Sequence, residues 1–146
     1  MALGAITFSA LTMSFDRSHN RKSVRPFCNV HQIVTDIAIG ITIENAGMGP
    51  MLLQKIVLLK NSDDPIENAI PFTKELFSEL DCDVFIQNTD EYVLASLSTL
   101  NLFESHDVSA HGVMPLLKEN LNGYCLSISY ADIYDETYEK RAVLAL

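Results

Sequence analysis

Tryptophan is absent from this chain of 146 residues, so the Cys-Trp-Cys signature of an antibody domain cannot be built. Cysteine is scarce. Cys28, Cys82 and Cys125 are odd in number and widely spaced, with no CxxC pair, which excludes a disulfide framework and a zinc ribbon. Three buried free thiols are expected, which tilts towards a reducing compartment; a single bridge in an oxidising one is the alternative. Positive charge is scarce too, with ten Lys and Arg against 19 Asp and Glu and a net charge of −9. Residues 1 to 25 hold Arg17, Arg21, Lys22 and Arg25 against Asp16, a local +3, which leaves −12 on the rest. Beyond residue 25 no basic stripe or basic-aromatic interleaving exists, and an acidic body repels phosphate backbones, so nucleic acid is excluded as a partner.

Catalytic and metal signatures are missing as well. Neither HExxH nor HxxxH occurs, so His31, His106 and His111, even with Cys28, lack a metal-ligand spacing. Ser105-His106-Asp107 contains triad residue types, but three consecutive side chains cannot converge as nucleophile, base and orienter. These residues read as a surface loop. No catalytic residue, cofactor site or metal site is assigned.

What is present is an all-β pattern. With 48% hydrophobic and 20% charged residues, the chain is long enough for one domain with one core. From Asp36 to Glu44 every odd position through Ile43 is isoleucine and every even one is small or polar, the period-two signature of a strand with one buried face. Asn45-Ala46-Gly47-Met48-Gly49-Pro50 breaks the chain, and Met51 to Leu59 forms a second strand, apolar on both faces and suited to a central position. Val24 to Val30 is β-like, confined by Pro26 to an edge or a strand start. Asp81 to Gln87, Val113 to Leu117, Gly123 to Tyr130 and Thr137 to Leu144 supply further strands, the last two forming a terminal hairpin around Asp132 to Glu136. Tyr92 to Phe103 is irregular, because Leu97, Leu100 and Leu102 fit neither period. Thr73 to Leu80 places Leu76, Phe77 and Leu80 on one helical face and predicts a short crossover helix between two sheets. Together these give an all-β, immunoglobulin-like antiparallel β-sandwich of about seven or eight strands with one short helix.

Two segments draw functional interest. In the turn of Asn45, Gly47, Gly49 and Pro50, the glycines are free to take positive φ, the proline ends a strand's pairing and the asparagine bonds back to its own backbone. As an anion loop it lacks the following lysine and the helix N-terminus, and Glu44 sits beside it. Asp132, Asp135, Glu136 and Glu139 form the densest acidic cluster, yet do not fit the D-x-[DN]-x-[DN]-G calcium pattern. A hairpin turn with a solvated acidic edge is expected, and Glu136, Glu139, Lys140 and Arg141 would protect an edge strand from aggregation.

Residues 1 to 15 carry no charge. As a helix they would span about 22 Å, short of the roughly 30 Å hydrocarbon core. No basic residue precedes them and no small-x-small cleavage site follows, which disfavours a signal peptide. The run reads as the back half of a membrane anchor with a basic juxtamembrane stretch, or else as a core element of the domain. The division expected is 1–22 for the anchor-like segment and 23–146 for the sandwich. The positive flank favours a cytoplasm-facing domain, with a periplasm-facing one as the alternative.

The apolar start, the basic segment ending Val24-Arg25-Pro26, the Asn45 to Pro50 turn and Tyr130-Ala131-Asp132-Ile133-Tyr134-Asp135 together resemble uncharacterised bacterial membrane-tethered β-sandwich domains with an N-x-G-x-G-P turn. The resemblance runs from about Ser23 onward. It implies the fold and the tethering and supplies no catalytic residue. Two functions follow as expectations. One is a non-enzymatic, membrane-anchored module that engages an unknown protein partner. The other is a small-ligand-binding or hydrolytic sandwich with its site in the loops near Asn45 to Pro50 or Ser105 to Gly112.

Overall fold

A computed structural model describes residues 22–35, 38–66, 69–72, 83–84, 92–105 and 121–145. Among these residues nine strand segments appear in chain order: β1 Cys28–Val34, β2 Ile39–Asn45, β3 Met51–Leu59, β4 Ile70–Pro71, β5 Asp83–Val84, β6 Tyr92–Leu94, β7 Thr99–Ser105, β8 Cys125–Ala131 and β9 Thr137–Val143. They form two antiparallel sheets, one ordered β1-β2-β7-β5 and the other β4-β3-β8-β9, with β6 pairing the start of β3. The expected helix over Thr73 to Leu80, the strand over Val113 to Leu117 and the apolar run of residues 1 to 15 lie outside the described residues. Among the described residues, no helix is long and apolar enough to cross a membrane.

The core forms between the sheets because each contributes one apolar face. Ile39, Ile41 and Ile43 of β2 are fully buried, as the alternation requires, and meet Leu58, Leu126, Ile128 and Phe103 in one cluster. At about 25 cal/mol per Å² of apolar surface, each such isoleucine contributes on the order of 2 kcal/mol. β2 is central, flanked by β1 and β7. β3 is central in the other sheet, flanked by β8 on one side and by β4 and β6 on the other. Leu59 and Val57 are buried although they lie outside the core cluster, as are their β8 partners Cys125 and Ser127. This second buried face accounts for the strand being apolar on both sides.

β2 and β3 belong to different sheets, and the Asn45 to Pro50 turn carries the chain across the core from one to the other. β4 and β5 likewise belong to different sheets.

Two bulges explain where the period-two reading fails. On β7, Ile41 pairs Phe103 and Thr42 pairs Asn101, so Leu102 is the extra residue. Leu102 and Phe103 are therefore both buried, which no strict alternation allows. On β3, Leu53 pairs Tyr130 and Lys55 pairs Ser129, so Gln54 bulges and Ile56 returns to the core.

One side of the sandwich is latched by Gln32. Its amide nitrogen donates to the Val143 carbonyl at 2.8 Å and its amide oxygen accepts from the Ala145 N–H at 2.8 Å. A side chain on edge strand β1 thus satisfies backbone groups at the end of edge strand β9.

Candidate functional site

The turn and the acidic hairpin sit at the same end of the molecule, on either side of the segment Val24 to Cys28. Met51 opens β3 immediately after the turn, Leu52 pairs Ala131 of β8, and Ala131 leads into the β8–β9 hairpin. The intervening segment touches both. Asn45 Oδ1 accepts from the Phe27 N–H at 3.2 Å, and Arg25 pairs with Glu136 at 3.2 Å.

Asn45 is fully buried and its side chain makes five hydrogen bonds. Oδ1 accepts from Phe27 and, at 3.1 Å, from the Gly47 N–H. Nδ2 donates to the carbonyls of Gly49 at 2.7 Å, Leu94 at 3.1 Å and Ala95 at 3.2 Å. A planar amide with both donors and acceptors is what three converging backbone segments need; an aspartate or a hydroxyl lacks part of this set. The backbone continues the clamp, with Ala46 N–H donating to the Phe27 carbonyl at 2.8 Å and Leu97 N–H to the Asn45 carbonyl at 2.9 Å.

The glycines serve a purpose other than the expected one. Gly123 is the only glycine among the described residues with positive φ. Gly47 and Gly49 are required because the Val24 to Phe27 backbone presses against them. A Cβ on Gly49 would lie 1.7 Å from the Val24 carbonyl oxygen, and one on Gly47 would lie 2.3 Å from that of Arg25. Pro50 directly precedes β3, as its lack of an N–H suits.

The four acids do not converge on a common point. Asp132 is buried, and its Oδ1 accepts from the N–H groups of Tyr134 at 2.8 Å and Glu136 at 3.0 Å, while Oδ2 accepts from the Tyr138 hydroxyl at 3.2 Å. It fastens the hairpin turn. Asp135 takes φ 62°, the left-handed position that Asp tolerates. Glu136 is exposed against Arg25. Glu139 lies on β9, where it pairs with Arg141 at 2.6 Å and accepts from Ser127 Oγ at 2.7 Å. Arg141, with Ser127 adding to it, holds the Glu139 carboxyl below the usual range. β9 is a sheet edge, so charge on this strand opposes edge-to-edge pairing. No group of three metal-ligating side chains occurs among the described residues.

Arg25 also lies over the Tyr138 ring, 4.4 Å from its centroid, and Tyr138 stacks on Tyr130 at 5.4 Å. The Tyr130 hydroxyl accepts from the Cys28 N–H at 3.4 Å. Burial pushes the Cys28 thiol up to about 12 and raises Cys125 as well, so neither is a thiolate nucleophile at neutral pH. Both are free and buried, as expected; Cys82 lies outside the described residues.

His31 sits on the solvent face of β1, with Nε2 2.7 Å from Glu44 Oε2, and belongs to no group of three metal-ligating side chains among the described residues. Ser105 pairs Ile39, at the end of β2 opposite Asn45. His106 to Gly112 lie outside the described residues. Sequence reasoning missed Arg25, Tyr130 and Tyr138 as partners. Their only signal was an arginine next to a proline and two tyrosines whose register depends on the hairpin. Compared with family models, curated proteins and solved structures, the chain finds no match.

Proposed function

We propose that this chain is a membrane-anchored, non-enzymatic interaction module, built as an immunoglobulin-like sandwich facing the cytoplasm and engaging a protein partner. The observation that carries the reading is the clamp on Val24 to Phe27. The side chain of Asn45 and the bare Cα atoms of Gly47 and Gly49 are all taken up in holding the segment that follows the apolar and basic N-terminus. A turn used in this way supports a tether attachment in place of a ligand loop. The immunoglobulin-like assignment is supported by strand order. β1-β2-β7-β5 corresponds to A-B-E-D, and β3-β8-β9 corresponds to C-F-G. The resemblance to bacterial membrane-tethered domains agrees with this reading.

Flotation of the full chain with phosphatidylcholine and phosphatidylglycerol vesicles tests the tether. The native chain floats and stays bound in high salt. The double variant Ile6→Lys/Leu11→Lys remains at the bottom of the gradient with an unchanged far-UV spectrum. A variant that floats as well as the native chain, or a native chain that does not float, refutes the tether. A C-terminal reporter active only outside the cytoplasm stays silent in cells; activity reverses the orientation.

A further inference from the structure

Among the described residues, five large exposed apolar side chains gather at the end of the sandwich that receives the Val24 to Phe27 segment. Phe27 is 57% exposed, Met48 69%, Leu97 69%, Ile133 52% and Tyr134 43%. They come from four chain segments that the contacts above bring to one end. Phe27 precedes β1, Met48 is in the Asn45 turn, Leu97 is in the β6–β7 turn and bonds Asn45, and Ile133 and Tyr134 are in the β8–β9 hairpin. Ser96 Oγ donates to the Gly47 carbonyl at 2.8 Å and joins two of these loops directly.

Leu97 is the most telling of the five. It adopts φ 57°, a conformation that costs a leucine free energy and that asparagine or glycine takes more readily. A strained leucine held in solvent brings neither burial nor turn stability, and strain of this kind concentrates at functional surfaces. Large side chains projecting from separate loops at one pole also form the kind of patch that marks a contact surface.

We infer that this pole rests in the interfacial layer of the same bilayer that holds the tether, with Phe27, Met48, Leu97, Ile133 and Tyr134 inserted among lipid headgroups. The inference rests on the membrane-anchored reading and adds a second, loop-mediated membrane contact to it. Three observations select a bilayer as the occupant. The 15 uncharged residues at the N-terminus and the basic stretch after them lead into the chain at this pole. Val24 is pressed on Gly49 of the Met48 turn, so the tether meets the domain beside the apolar side chains. Lys22 and Arg25 stand there against Glu44, Asp132, Asp135 and Glu136, but Asp132 is buried, Glu44 lies 2.7 Å from His31 and Glu136 pairs with Arg25, so the pole presents only a small share of the chain's net charge of −9 to an anionic surface. Contact is therefore apolar in origin and insensitive to lipid charge, in contrast to a polybasic surface site. It leaves the opposite pole and the exposed sheet edges free for a protein partner.

The absence of tryptophan makes the test simple, since one introduced tryptophan is the sole indole. Met48→Trp places it at the pole and Ile33→Trp at the far end of β1, beside Gly40. Each full-length variant is reconstituted in phosphatidylcholine vesicles, with and without brominated acyl chains and with and without phosphatidylglycerol. The Met48→Trp emission shifts to the blue on reconstitution and loses intensity with brominated lipid, equally in neutral and anionic vesicles, while Ile33→Trp does neither. A Met48→Trp protein that floats with vesicles yet stays red and unquenched overturns the inference and leaves the tether standing. Failure to float removes both. Blue, unquenched emission already present before vesicles are added shows that a second copy, another protein or this chain's own apolar run covers the pole, and also overturns it.

Discussion

Replacing Asn45 by aspartate changes one nitrogen to oxygen and almost no volume, yet it should be among the most damaging substitutions in the domain. The Nδ2 group donates to three carbonyls within 3.2 Å, in a site with no solvent exposure. A carboxylate oxygen in its place donates nothing and faces three partial negative charges. Each buried polar group left without a partner costs about 1–3 kcal/mol. Asn45→Ala orphans two N–H donors and weakens three acceptors, and after partial relaxation a loss of about 3–5 kcal/mol is expected. That is a large share of a typical domain stability of about 5–15 kcal/mol. Asn45→Asp should match it at neutral pH and differ in its pH dependence. Burial among carbonyls raises the introduced carboxyl above its unfolded value of about 3.9. Between the two pKa values the folded state binds more protons than the unfolded state, so stability falls as pH rises through that window. The Asn45→Asp deficit therefore shrinks in acidic buffer, while that of Asn45→Ala stays constant. Urea unfolding followed by far-UV circular dichroism measures both. An Asn45→Asp protein within about 1 kcal/mol of native at neutral pH, or a deficit that ignores pH, refutes the clamp.

Gly49→Ala drives a Cβ into the Val24 carbonyl and must displace backbone, so it lowers stability by about 1–3 kcal/mol or more and loosens the Val24 to Phe27 segment to proteolysis. Leu97→Asn removes left-handed strain from an exposed site and raises stability by about 1 kcal/mol, read as a higher urea midpoint, while weakening quenching of the Met48→Trp indole by brominated lipid. Glu139, whose pKa is lowered by Arg141 and then Ser127, contributes stability above its unfolded pKa that disappears as pH falls through the lower folded value. Glu139→Gln should therefore lower stability at neutral and alkaline pH and flatten the acid limb of the stability profile, where native and variant converge.

The sequence disclosed faces more reliably than connections. The isoleucine alternation placed Ile39, Ile41 and Ile43 in the core, because a period of two has one physical reading when one face is buried. It could not show that the following turn changes sheets, since pairing depends on partners far along the chain. Leu97, Leu100 and Leu102 resisted any period because Leu97 turns at positive φ and a bulge at Leu102 puts adjacent residues on the same side, and a bulge leaves no local composition mark here. The Asn-Ala-Gly-Met-Gly-Pro turn was visible from its residue types, but its cause was not. Positive φ is the local reason for glycine, whereas the reason found at Gly47 and Gly49 is the close approach of the Val24 to Phe27 backbone from far earlier in the chain. Asp132 looked like a member of an acidic cluster until its hairpin showed both oxygens turned to backbone N–H groups and a tyrosine hydroxyl.

Amide hydrogen exchange of the full chain tests most directly whether Asn45 fastens the tether segment to the sandwich. The N–H groups of Phe27, Ala46 and Gly47 are bonded within the clamp. They should exchange only through global unfolding, at the same free energy as core amides such as Ile41 and Ile128. Exchange at the rate of an open turn, with Ile41 and Ile128 still protected, would contradict the account.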